Sequence, residues 1–225
     1  GLDGTVSKVA SFDETEISYT AAANYMLTDN SGVFVRINSG HRMPYFDDFR
    51  DNYGAFQDGN MLIQDVDQYE LGYKYVGSNM ALYATGFYTE VDPSIFVALS
   101  GSTPGEISTN EAYGVEIDGN YYTDTGFAVN LNATVQESKI KKGVNVGKEQ
   151  QRQPGYQLRV TPSYAFDAGS SSVKVYGTFT MVDSRFSDNG NTVTLPSYEK
   201  VDLGVVVDIN DALTVQVSAD NITDE

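Results

Sequence analysis

The densest set of side chains able to do chemistry lies in one short polar span, where His41, Arg42, Tyr45, Asp47, Asp48, Arg50, Asp51 and Tyr53 crowd together. An Arg can hold a carboxylate or another anion in a two-pronged fork, and a Tyr can stack on a ligand while its hydroxyl donates. The same residues also suit an ion-pair network that does no more than shape a rim. On residue types alone that structural reading carries more weight. His41 is the single His and there is no Cys, so a dedicated metal site would lack a second nitrogen or sulfur ligand. The carboxylates could gather Ca²⁺, yet no loop has the regular ligand spacing of a calcium hand.

Catalysis finds no footing. No nucleophile elbow accompanies His41, no glycine-rich phosphate loop opens a helix, and the adjacent Asp47 and Asp48 do not define the separation that acid/base work needs. The sequence therefore predicts a protein that is not an enzyme and calls for no cofactor. A net charge of -17 leaves too few clustered cations to neutralise phosphates, which excludes nucleic acid as a partner.

The elements that must position these residues follow a two-beat rhythm. Tight turns at Thr28-Asp29-Asn30-Ser31, Gly77-Ser78-Asn79, Thr123-Asp124-Thr125-Gly126, Asp167-Ala168-Gly169-Ser170 and Ile209-Asn210-Asp211 alternate with long polar loops. Turns on one side and long loops on the other are the habit of an outer-membrane barrel wall, whereas a soluble sandwich keeps short turns at both ends. No run of about 18 apolar residues is present, so no transmembrane helix is expected. A mean hydropathy of -0.31 does not argue against barrel strands, because only alternate residues meet lipid.

Between the turns the alternation is explicit. Ile17, Tyr19, Ala21, Ala23, Tyr25 and Leu27 share one face of a first strand expected over residues 14–27, and Val33, Val35 and Ile37 share one face of the next. Tyr69, Leu71, Tyr73 and Tyr75 alternate with Gln68, Glu70, Gly72 and Lys74, and Tyr113, Val115, Ile117 and Tyr121 with Gly114, Glu116, Asp118 and Asn120. Glu70, Lys74, Glu116 and Asp118 are thus expected to face a lumen. For the strand from Met80 to Val91 both faces carry apolar residues, and placing Glu90 with the polar set turns Tyr83, Phe87 and Val91 outward. Pro162 cannot donate a ladder bond and predicts a bulge or local irregularity. About ten strands result.

Among the 16 Tyr and 11 Phe, two levels stand out. Tyr25, Phe34, Tyr75, Tyr83, Tyr121, Tyr122, Phe127, Tyr164, Phe166 and Tyr176 lie near the tight turns, and Phe12, Tyr69, Phe87, Tyr113, Phe179, Phe186 and Tyr198 toward the long loops. Two aromatic girdles suit two bilayer interfaces, although Tyr and Phe are also good strand residues wherever strands occur.

Four motifs, in order, resemble a known family. Gly40-His41-Arg42-Met43-Pro44 running into Asp47 and Asp48 is similar to the glycine, aromatic, arginine, any residue, proline and acidic segment of TonB-dependent outer-membrane receptors, with His41 where an aromatic is usual. Tyr69-Glu70-Leu71-Gly72-Tyr73-Lys74 resembles the strand after that loop, and Gly114-Val115-Glu116 a later one. Asn221-Ile222-Thr223-Asp224 looks like the motif that precedes the last loop and strand.

The resemblance covers essentially the whole chain and implies an all-β, antiparallel, up-and-down transmembrane β-barrel segment, a fragment of a barrel of about 22 strands. Residues 1–225 are then expected to be part of one such barrel domain, without the plug domain and the final strand. The implied function is active uptake of a scarce nutrient in the bacterial outer membrane, foremost an iron–siderophore complex. Implied partners are outer-membrane lipid and lipopolysaccharide, a small-molecule or metal-chelate ligand, and the TonB complex through the N-terminal region not present here. A cobalamin or carbohydrate receptor, a porin-like passive channel and a soluble all-β binding module remain as alternatives.

Overall fold

The structure is a computed structural model that describes residues 13–44, 63–96 and 106–224. The alternation above becomes strands β1 (Tyr19–Met26), β2 (Ser31–Arg42), β3 (Gln64–Val76), β4 (Met80–Phe96), β5 (Glu106–Tyr122), β6 (Phe127–Lys142), β7 (Tyr156–Ala168) and β8 (Ser171–Val182). After a short pair, β9 (Arg185–Phe186) and β10 (Thr194–Leu195), come β11 (Tyr198–Asn210) and β12 (Leu213–Ala219). Ten of them form one antiparallel sheet in the order β1-β2-β3-β4-β5-β6-β7-β8-β11-β12, while β9 and β10 pair only with each other. Each strand of this sheet lies beside the next one of the sheet along the chain, with β9 and β10 set aside in the connection between β8 and β11, as in an up-and-down meander. β1 begins later than the alternation suggested, since its first ladder partner is Tyr19 opposite Ser39.

Register decides which residues share a face. Val33, Tyr73 and Ala84 are aligned, as are Val35, Leu71 and Gly86, then Val115 and Val135, in rows crossing the sheet. These rows form an outer face with no second layer against it: among the described residues the buried apolar side chains are Ile140 and Val182, while Leu71 and Val217 are each 67% exposed. A water-soluble domain of this size would bury most of such a surface. On β5 the outer residues run from Tyr113 to Tyr121, about 27 Å along the strand and about 20 Å along the normal of a bilayer at the usual tilt. That is near the height of a barrel's apolar belt.

Three expectations change. Phe87 lies opposite Glu70, Tyr83 opposite Lys74 and Val91 opposite Val66, so all three share the inner face, and Glu90 lies on the outer one opposite Asp67. The reason is height. β4 continues past the apolar belt, and a charge on its outer face above Tyr88 meets water and headgroups, so Glu90 did not have to turn inward. Glu90 sits there with Lys141 at 2.6 Å, and Lys141 reaches Glu111 at 3.3 Å.

The girdles are also thinner than the aromatic count implied. Phe34, Tyr83, Tyr122, Tyr176, Phe87 and Tyr198 belong to inner rows. Two of them cover glycines: a Cβ on Gly72 would collide with the Phe34 ring, and one on Gly204 with the Tyr176 ring, so each ring lies flat over a residue that has no side chain. On the outer face Tyr25, Tyr75, Tyr121, Phe127, Tyr164 and Phe166 remain at the tight-turn level, and Tyr69, Tyr88, Tyr113 and Tyr156 at the other. Phe186 stands in β9, and Phe12 lies outside the described residues.

Pro162 requires no inserted residue. Val160 faces Phe179 and Ser163 faces Tyr176 in one continuous alignment, with the positions between them unpaired on the β8 side, while Pro162 still faces Val129 of β6. The missing donor therefore produces a local gap in one ladder and leaves the register intact.

Candidate functional site

Polar groups converge along the inner face, from the tight-turn end to the long-loop end. Arg36 on β2 lies opposite Glu70 on β3 and donates from Nη2 to its Oε1 at 2.5 Å. The Glu70 side chain is 7% exposed against 48% for Arg36, so the carboxylate is the enclosed partner. Lys74 Nζ donates to Asn24 Oδ1 at 3.3 Å, and Asn132 Nδ2 to Asp118 Oδ1 at 2.5 Å. Glu70, Lys74, Glu116 and Asp118 all stand on this inner face, in rows with Phe87, Tyr83, Thr85 and Asn132. Charge alternation thus becomes a polar wall whose groups are tied sideways across neighbouring strands.

His41 and Arg42 part company at the rim. His41 pairs with Asp65 in an outer row, its Nδ1 2.8 Å from Asp65 Oδ1 and its Nε2 3.1 Å from the Ile17 carbonyl. Both ring nitrogens are engaged, and one of them pins the segment that leads into β1. Arg42 pairs with Gln64 in an inner row and donates from Nη1 to its Oε1 at 2.6 Å. Consecutive strand residues point to opposite faces, so the two cannot grip one small ligand from the same side. Tyr45, Asp47, Asp48, Arg50 and Tyr53, with Asp51, lie outside the described residues.

Two loops that the residue patterns did not single out close over this wall. Residues 143–155, between β6 and β7, fold back on β6 through Ile140 N–H to the Lys148 carbonyl at 2.9 Å and Gly147 N–H to the Ile140 carbonyl at 2.8 Å. They are bound to residues 183–197, between β8 and β11. Glu149 N–H donates to Asn191 Oδ1 at 2.9 Å, Asn191 Nδ2 returns a bond to the Glu149 carbonyl at 3.0 Å, and Arg152 N–H donates to the Phe186 carbonyl at 2.7 Å.

The second loop is itself organised by Asp188, whose carboxylate accepts from Val193 N–H at 2.9 Å and from the Thr192 N–H and hydroxyl at 3.1 and 3.0 Å. These donors favour the ionised form, the Val193 N–H most, and hold the Asp188 carboxyl below the ordinary carboxylate range.

Under the first loop the inner wall is hollow. A cavity of about 340 Å³ is bounded by Gln68, Glu70, Phe87, Asn110, Glu116 and Gln136 from the strands and by Gln150 and Gln153 from the loop. Gln150 Nε2 donates to the Glu111 carbonyl at 2.9 Å, and Gln136 Nε2 donates to Gln153 Oε1 at 3.3 Å and to the Pro154 carbonyl at 3.1 Å. These bonds hold the loop over the wall. A signal was present in Gln150-Gln151-Arg152-Gln153, an amide-rich run between two strands, but amides alone do not reveal which way a loop folds. No group of three or more His, Cys, Asp or Glu able to hold a metal ion occurs among the described residues.

An apolar outer face without a protein partner, aromatic levels at both ends of it, and a polar inner wall crossed by loops fit a membrane barrel. A family model described as TonB dependent receptor-like, beta-barrel matches residues 2–222. The chain belongs to that family. Its members are transport proteins of the bacterial outer membrane and not enzymes, which sets aside the soluble binding module.

The pesticin receptor of Yersinia enterocolitica is 24% identical over 216 residues, 90% of this chain and 30% of that receptor. The ferric yersiniabactin uptake receptor of Yersinia pestis superposes with a TM-score of 0.74 at 20% identity, covering 92% of this chain and 32% of that one. The ferric preacinetobactin receptor of Acinetobacter baumannii gives 0.74 at 17% identity, covering 92% and 32%. The chain therefore spans about a third of the length of such relatives, and these structural likenesses establish the shared barrel fold.

Proposed function

We propose that the chain supplies part of the wall and several outer loops of an energy-coupled importer, which captures a scarce metal chelate at its outer mouth and releases it inward on a signal from the TonB complex. The observation that carries the reading is the pairing of a lipid-facing belt with a polar inner wall that two mutually bonded loops cover at the long-loop end.

Residues 1–225 belong in this reading to one barrel domain. The unpaired outer edges of β1 and β12 call for further strands, because open ladder groups are not tolerated in hydrocarbon. Plug and energy-coupling segments are then contributed by other parts of the same protein.

An iron chelate is the favoured cargo. Several of the similar structures are receptors or transporters of ferric complexes, although one is a copper transporter. His41, Arg42, Tyr45, Asp47, Asp48, Arg50 and Tyr53 are proposed to contribute to ligand contact at the rim, with Arg42 the member of the described pair on the lumen side. The outer belt contacts lipid, and the charged groups above it, among them Glu90 and Lys141, stand level with lipopolysaccharide headgroups.

The test is uptake of radiolabelled ferric chelates by cells carrying or lacking the intact gene, with and without a protonophore. Gene-dependent uptake that stops when the proton gradient collapses is the expected result. Gene-dependent entry that continues unchanged would instead identify a passive channel.

A further inference from the structure

We infer that the cavity beneath the β6–β7 loop takes a neutral ligand rich in hydroxyl and carbonyl groups and rejects polyanionic chelates. This deepens the uptake reading and rests on it. The cavity's chemistry is that of amides: Gln68, Asn110, Gln136, Gln150 and Gln153 surround the ring of Phe87. An amide offers a donor and an acceptor with no net charge, and an aromatic face suits C–H groups, so this lining matches a polar uncharged molecule.

The bonds already made decide what each amide presents. Gln136 and Gln150 use their nitrogens toward Pro154, Gln153 and Glu111, which leaves both Oε1 atoms as acceptors. Gln68 accepts from Asn38 at 3.3 Å and Gln153 accepts from Gln136, which leaves their Nε2 atoms as donors. Asn110 accepts from the Ser108 hydroxyl at 3.0 Å and keeps its Nδ2. Donors and acceptors therefore stand side by side around one space, the arrangement that hydroxyl and carbonyl groups require.

Charge rules out the other class. Of the two carboxylates in the lining, Glu70 is paired with Arg36 on the neighbouring strand. Glu116 makes no ion pair among the described residues, so the lining is net negative in a chain that carries -17 overall. An anionic chelate entering here would meet like charge, since two carboxylates and no Lys or Arg stand among the residues that line the cavity. Neutral ferric hydroxamates and neutral oligosaccharides share the chemistry that fits, and only binding separates them.

The experiment uses the full-length receptor that contains this segment, purified in detergent, with three probes: a neutral ferric trihydroxamate, a malto-oligosaccharide and ferric citrate. One of the neutral probes should bind and ferric citrate should not. Gln68→Ala and Gln153→Ala should each weaken the neutral probe by about three- to tenfold, the value of one lost hydrogen bond. Gln153→Lys should weaken it too.

Gln153 lies in a loop, so its variants test the idea even if a strand variant fails to assemble, which heat-dependent gel mobility reports. Binding of ferric citrate by the unaltered receptor, no binding of either neutral probe, or amide variants with unchanged affinity would overturn the inference. Uptake that ignores the proton gradient would instead remove the transport reading and leave the binding result standing.

Discussion

The two faces of β3 to β6 are built from the same strands and solve different problems. The outer face is a repetition: Leu71, Ala84, Ile117 and Ala133 differ in size but share one property, and each needs only to be apolar at the right height. The inner face is a set of particular agreements, such as Arg36 with Glu70, Asn132 with Asp118, and Gln136 with Gln153. A solvent imposes a pattern, whereas a binding wall imposes partners. The outer face should therefore fail by loss of a general property, and the inner face by loss of one named contact.

The sharpest break in this comparison is a charge in the belt. Ile117→Arg should lower the stability of the full-length receptor in lipid by about 2–4 kcal/mol, because a guanidinium near the bilayer midplane has no water. Asn120→Arg, three positions along on the other face, should change it by no more than about 0.5 kcal/mol. Urea unfolding in liposomes measures both, and equal effects would mean that the faces have been assigned wrongly.

A smaller effect belongs to the inner face. Glu70→Ala leaves Arg36 without its partner, and since Arg36 is half exposed and screened the loss in the same assay should be measurable but well below that of Ile117→Arg. Arg36→Ala made together with it should recover part of that loss, as a pairwise contact requires.

The smallest global change is expected at Asp188, whose work is confined to one loop. Asp188→Asn should leave the unfolding midpoint in place yet speed proteolytic nicking within residues 183–197. The wild-type loop should show the same increase at low pH. A carboxyl held below its ordinary value stabilises fully above the unfolded-state value and loses that contribution as pH falls through the lower, folded one. A nicking rate indifferent to both changes would separate Asp188 from the order of the loop.

Legibility in the sequence followed the same division. The meander, its tight turns and the rows containing Tyr69 and Tyr113 could be read directly, because a period of two and a turn signal are local properties. β4 could not: with apolar residues on both faces, Glu90 was the only guide, and a strand taller than the membrane removes its meaning. The rim cluster also looked unified in one dimension, yet adjacency along a strand places His41 and Arg42 on opposite faces.

What this chain dictated by itself was a pair of faces: a period of two between turn signals gives each strand one apolar side and one polar side, whatever medium later covers them. What only tertiary structure decided was the neighbourhood of the amides. Gln150 and Gln153 lie far along the chain from Gln68 and Asn110, and no periodicity links them. They share a cavity because strand register sets the height of the wall and hydrogen bonds to Glu111 and Gln136 draw the loop across it. Contacts between distant segments depend on geometry summed over many residues, and local pattern carries no record of that sum.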